Sequence, residues 1–189
     1  MRAFIVAFLL AVCGSAHAGL GIGVTPYPGP GVQGNSGSTP TQILAAANES
    51  TSSPTATNLD QVNAKGQSFT VSQTVTLDSI QISGTSGTTQ NVTIRVGTDA
   101  NLGAYLEEAT ASLNPNTTWQ TVSFAGTTTL SAGTTYYFGA VRNTTGNWYI
   151  SRNSADVYAG GVYHLAASGW SMVLTSGYDL QFKIYGTTL

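Results

Sequence analysis

After Lys65 the chain settles into short runs in which apolar and polar side chains alternate. Val92, Ile94 and Val96 alternate with Thr93 and Arg95, and Tyr178, Leu180, Phe182 and Ile184 alternate with Asp179, Gln181 and Lys183. A period of two puts successive side chains on opposite faces of extended backbone, so each run predicts a half-buried strand. The same reading predicts strands over 67–72, 75–83, 119–124, 134–142, 148–152 and 162–166. In the 75–83 run the phase slips: Val75 and Leu77 share one face while Ile80 and Ile82 take the other, and a bulge near Asp78-Ser79 would restore register. Gly, Ser, Thr and Asn separate the runs, and no helix is convincing. The chain is therefore expected to be all-β, a jelly-roll-like antiparallel β-sandwich. Parallel α/β folds need crossover helices that this pattern lacks. Gly-Thr-Thr recurs at 87, 126, 133 and 186 without a fixed period, which indicates turn chemistry and not a solenoid.

Upstream the pattern is different. Met1-Arg2 is followed by an unbroken apolar run from Ala3 to Val12 and then by Ala16-His17-Ala18, the layout of a secretory signal with an A-x-A cleavage site. The run is about half of the ~20 residues needed to cross a bilayer, so no transmembrane segment is expected once the signal is cut. Leu10-Ala11-Val12-Cys13-Gly14 resembles a lipobox, but Val12 stands where that motif wants a small residue, and cleavage after Ala18 is the reading taken. Residues 19–65 are Gly, Pro, Ser, Thr and Asn with few large apolar side chains, as in Pro26-Tyr27-Pro28-Gly29-Pro30-Gly31. Such a segment cannot offset its ordering entropy by burial and is expected to be a flexible arm. Within it, Thr41 to Ala47 suits one or two marginal helical turns. The expected organisation is a signal peptide over 1–18, an arm over 19–65 and one β-sandwich domain over 66–189.

Charge and cysteine content narrow the function. Only 7% of residues are charged, against roughly 25% in ordinary soluble domains. Beyond the leader the cations are Lys65, Arg95, Arg142, Arg152 and Lys183, outnumbered by eight acids, so no basic stripe exists for nucleic acid or anionic membrane. The single cysteine, Cys13, lies in the leader, so the exported domain must hold without a disulfide although its compartment would permit one.

Gly66-Gln67-Ser68-Phe69-Thr70, Leu77-Asp78-Ser79-Ile80, Trp119 to Phe124, Leu130 to Phe138 and Asp179 to Gly186 together resemble bacterial secreted jelly-roll domains of the "choice-of-anchor" type, similar in build to carbohydrate-binding modules. The resemblance covers about Gly66 to Gly186. It implies a secreted or cell-surface sandwich and carries no ligand residues across. Such domains are often carried next to a sorting signal, whereas only Thr187-Thr188-Leu189 follow Gly186, so covalent anchoring by a C-terminal sorting tail is not expected. Sandwiches of this build sometimes hold a structural calcium where first and last strands meet, which would implicate Gln67 and Asp179. A polar cross-strand contact is the alternative.

Catalytic groups are scarce. His164 is the one histidine beyond the leader, and no G-x-S-x-G turn accompanies it, so a structural role is expected. Glu107 and Glu108 are adjacent and would point to opposite faces of a strand, which prevents them from flanking one glycosidic bond. No His or Cys cluster suits a transition metal. Four N-x-S/T triplets, at Asn48, Asn91, Asn116 and Asn143, are expected by chance in so Thr-rich a chain. Aromatic residues are the most informative side chains left. Phe124, Phe138, Phe182 and Trp148 match apolar phases, whereas Trp119 and Tyr149 fall out of phase with their apolar neighbours. The stretch 147–170 gathers Tyr149, Arg152, Asp156, Tyr158, Tyr163 and Trp170, a composition suited to stacking on sugar rings and bridging hydroxyls. The alternative is that these rings pack beneath long loops. The expectation is a secreted, non-catalytic binding or adhesive module, with a carbohydrate or cell-surface polymer as ligand, no enzymatic activity and no cofactor unless a structural calcium. A structural surface or matrix protein assembling through its strands is the other reading.

Overall fold

A computed structural model describes residues 39–51, 54–115 and 118–189. The expected signal peptide, the lipobox and the first part of the arm lie outside the described residues. Alternation becomes strands throughout: β1 (Gln42–Asn48), β2 (Pro54–Asn58), β3 (Lys65–Thr70), β4 (Val75–Ser86), β5 (Gln90–Gly97), β6 (Glu107–Leu113), β7 (Trp119–Ser123), β8 (Thr129–Leu130), β9 (Thr135–Arg142), β10 (Trp148–Asn153), β11 (Tyr163–Ser168), β12 (Ser171–Leu174), β13 (Asp179–Leu180) and β14 (Phe182–Thr188). They form two antiparallel sheets packed as a sandwich. The first has the order β1-β14-β4-β10-β13, with β2 beside β10 and with β7 and β8 beside β4; the second runs β12-β11-β3-β9-β5-β6.

The inward residues supply the core. Phe69, Ile80, Ile82, Ile94, Phe138, Trp148, Ile150, Phe182 and Ile184 are all fully buried between the sheets. The phase slip in β4 is resolved as expected: Ser79 pairs with Tyr185 and Leu77 with Gly186, leaving Asp78 as the extra residue of a bulge. All four apolar residues of that run then face inward.

A second, smaller apolar cluster covers the outer face of the second sheet, where Leu102, Met172, Ala166 and Trp170 lie over Ala64 and Val141. Gly66 and Gly139 are paired beneath it. A Cβ on Gly66 would sit 2.0 Å from the Phe138 carbonyl oxygen and 2.7 Å from Met172 Sδ, so only glycine lets the covering layer approach.

The expected arm needs correction at its C-terminal end. Gln42–Asn48 is a strand and not helical turns, pairing with β14 from Gln42↔Thr187 to Asn48↔Phe182, and Pro54–Asn58 pairs with β10 from Asn58↔Tyr149 to Pro54↔Asn153. Both run in the same direction along one edge of the first sheet, so the described sandwich extends well upstream of residue 66. Backbone hydrogen bonds to a waiting edge hold these residues, with Asn48 Nδ2 donating to the Leu180 carbonyl and Ala45 buried. Their small side chains gave no alternation strong enough to announce a strand. Limited proteolysis of the full chain should accordingly leave Gln42–Asn48 and Pro54–Asn58 within the resistant core, and cleavage after Lys65 should be slow.

Candidate functional site

The bulge and the register decide what the outer face of the first sheet presents. Because Ile80 and Ile82 point inward, Ser79, Gln81, Ser83 and Thr85 of β4 point outward. Their cross-strand partners are Tyr185 and Lys183 on β14, Tyr149 on β10, and Ser123, Thr121 and Trp119 on β7. β14 and β7 pair with the same residues of β4 and so flank it on opposite sides, with β10 continuing the β14 side. Three rings, Trp119, Tyr149 and Tyr185, therefore stand on one face among hydroxyl and amide side chains. Tyr149 is 41% exposed, Thr85, Thr121 and Ser123 are exposed, and Trp119 and Tyr185 are half-buried. Polar pairs tie the carpet together: Gln81 Nε2 donates to Thr121 Oγ1 at 3.1 Å and Ser83 Oγ to Ser151 Oγ at 3.1 Å. The charged groups on this face are each held by a neighbour, Lys183 by an opposite charge and Asp78 by neutral donors. Lys183 Nζ lies 4.5 Å from the Trp119 ring centroid and 2.7 Å from Glu49 Oε2, while Asp78 Oδ2 accepts from Gln42 Nε2 and Thr187 Oγ1.

The six residues proposed from sequence do not converge on one patch. Tyr149 is on this outer face, but Tyr163 is 1% exposed inside the core. Trp170 belongs to the cluster on the far side of the molecule, where the Arg95 guanidinium lies 4.2 Å from its ring and 4.5 Å from that of Tyr105. Tyr158 packs edge-on against Phe182 at 5.1 Å. Arg152 points between the sheets, 4.1 Å from the Tyr178 ring and 5.9 Å from that of Tyr163. Only Arg152 and Tyr163 of the six come together. Asp156 is exposed on the loop after β10. Burial pushes the Tyr158 and Tyr163 hydroxyl pKa values up, as befits packed rings. Among the described residues no cavity forms. Trp119 and Tyr185 were absent from the sequence-derived set although their phase signalled an outward direction; what alternation cannot show is that β7, β10 and β14 all flank β4.

Gln67 and Asp179 do meet, with Gln67 Nε2 donating to Asp179 Oδ1 at 2.7 Å. The amide orientation is set by Leu180 N–H, which donates to Gln67 Oε1, and Asp179 Oδ2 accepts from the backbone N–H groups of Val157 and Tyr158 at 2.7 and 2.8 Å. Burial holds the carboxyl above the usual range, opposed by these donors, that of Tyr158 foremost. Every donor here is an N–H and Gln67 turns its nitrogen to the carboxylate, so the pair as arranged does not fit a calcium ion, which requires converging oxygens. Among the described residues no three His, Cys, Asp or Glu side chains gather as metal ligands.

Glu107 and Glu108 take opposite faces of β6: Glu107 Oε1 accepts from Ala125 N–H, and Glu108 pairs with Arg95 Nε at 2.6 Å. His164 is buried on the outer face of the second sheet, edge-on to Tyr137 at 5.3 Å, and neither ring nitrogen has a hydrogen-bond partner. Burial pushes its pKa below 6.5. The unfolded chain thus takes up a proton that the folded chain resists, so stability is fully present above pH 6.5 and falls as pH drops through that value. Thermal melts from pH 8 to pH 5 should show this decline, and His164→Phe should flatten it.

No protein-family model and no curated protein matches this chain. Among the described residues no helix is long and apolar enough to cross a membrane.

Proposed function

We propose that this protein is a secreted, non-catalytic binding module whose ligand is a neutral carbohydrate, held on the outer face of the first sheet. The observation that carries the reading is the common outward direction of Trp119, Tyr149 and Tyr185 on a surface of hydroxyl and amide groups on which Lys183 is paired with Glu49. Aromatic rings stack on the apolar C–H faces of sugars, and the surrounding Gln, Ser and Thr side chains both donate and accept hydrogen bonds to hydroxyls. The resemblance to secreted jelly-roll domains and the signal-like leader agree with export. The separation of Glu107 from Glu108 and the burial of His164 agree with a non-catalytic role.

The test is retention of the full chain on a panel of immobilised neutral glycans. Trp119→Ala, Tyr149→Ala and Tyr185→Ala should each weaken binding about tenfold, roughly 1.4 kcal/mol, with melting temperatures near that of the parent. A triple variant that binds as well as the parent would remove this face from consideration.

A second reading, assembly of copies into a surface layer, is favoured by the far half of β12: Asn101 bridges Ser171, but beyond Met172 no other described strand pairs with this edge, Val173 is 53% and Leu174 60% exposed, and Ser171 to Thr175 carry no charge. Concentration-dependent mass in light scattering, lost in Val173→Lys, would favour it over the first.

A further inference from the structure

The three outward rings are not in line, and this bears on what kind of carbohydrate they meet. Tyr185 pairs with Ser79 and Tyr149 with Thr85 on the same side of β4, six residues apart, whereas Trp119 pairs with Ser83 on the opposite side. At about 3.4 Å per residue and 4.8 Å per strand, the two tyrosines are about 20 Å apart along the sheet, and Trp119 stands about 10 Å to the side of the line joining them. An extended sugar chain lying along the two tyrosines leaves Trp119 two strand spacings to its side. A single chain can follow the line of the tyrosines, or run obliquely from one of them to Trp119, but it cannot cover all three.

We infer, building on the carbohydrate reading above, that this face takes the surface of a packed, insoluble neutral polysaccharide, in which neighbouring chains lie side by side, in preference to a free soluble chain. Two further observations agree. The rings stand on the outer face of a sheet, so a soluble oligosaccharide laid on them would be contacted on one side only and would bear the full ordering entropy of its chain. A packed surface is ordered beforehand and engages three separated rings at once, so their contributions multiply within one encounter. A neutral polymer fits because Lys183 is paired with Glu49, while the Asp78 carboxylate, hydrogen-bonded only by the neutral Gln42 and Thr187, keeps its charge and would repel an acidic polymer.

The experiment compares depletion of the full chain from solution by powdered cellulose and powdered chitin with calorimetric titration by cellohexaose and chitohexaose. The expected result is retention on at least one powder with the matching hexasaccharide bound at least a hundredfold more weakly, and a tenfold loss on the powder in each of Trp119→Ala, Tyr149→Ala and Tyr185→Ala. Equal affinity for powder and hexasaccharide would overturn the packed-surface inference and leave the carbohydrate reading standing. So would a Trp119→Ala variant that binds the powder like the parent while the tyrosine variants fail. Retention by neither powder nor hexasaccharide, together with no binding across the glycan panel, would overturn both.

Discussion

Trp148→Ala is expected to destabilise the domain by about 3–5 kcal/mol, while Tyr149→Ala, one residue along the same strand, should leave the melting temperature nearly unchanged. Trp148 is fully buried in the main core. Its ring lies against Gly84 so closely that a Cβ at that glycine would be 2.2 Å from the indole, and glycine has no side chain that could move into the space truncation leaves. Truncation therefore loses both the transfer free energy of a large ring and the contacts around the resulting cavity. The indole nitrogen has no hydrogen-bond partner, so Trp148→Phe removes an unsatisfied buried donor and should cost much less than alanine. Urea denaturation with Trp119 and Trp170 as remaining fluorophores measures each variant. Equal losses for Trp148→Ala and Tyr149→Ala would contradict the assignment of the two residues to opposite faces.

Asp179→Ala should be nearly as damaging, at about 3 kcal/mol, for a different reason. Asp179 has no exposed surface, and its carboxylate is the acceptor for Gln67 Nε2 and for the backbone N–H groups of Val157 and Tyr158. Removing it leaves three donors without an acceptor at the point where the loop after β10 is tied to β3 and β13. Asp179→Asn should fall between parent and alanine. Its oxygen can still accept from Val157 and Tyr158, but its amide nitrogen would then face Gln67 Nε2, and turning Gln67 would forfeit the bond from Leu180 N–H. Chemical denaturation gives the loss, and faster proteolytic cleavage between Ser154 and Gly161 would locate it. An alanine variant as stable as the parent would show that water satisfies these donors and that the contact is dispensable.

Part of the candidate site was legible before any tertiary arrangement was known. Tyr149 and Trp119 fall out of phase with the apolar residues of their strands, and both face outward. The attractive grouping of Tyr158, Tyr163 and Trp170 was misleading because closeness in sequence across a turn does not survive the crossing between sheets. Tyr163 begins β11 with its ring turned into the core, and Trp170 lies in the β11–β12 hairpin that folds over the outside of the second sheet. Composition marks such residues as suited to sugar, yet a ring that fills a core has the same composition.

Strand phase is a local property, set by the steric alternation of extended backbone, and it belongs to the sequence alone. From it follow the all-β sandwich, the bulge at Asp78, the inward Trp148 and outward Tyr149, and the opposed Glu107 and Glu108. Strand neighbours are a non-local property. The addition of Gln42–Asn48 and Pro54–Asn58 to the edge of β14 and β10 rests on backbone hydrogen bonds that any small-residue segment can make, so no side-chain pattern announces it. The gathering of Trp119, Tyr149 and Tyr185 around β4, and the covering of the second sheet by Leu102, Met172 and Trp170, depend in the same way on which surfaces remain to be buried once the sheets have packed.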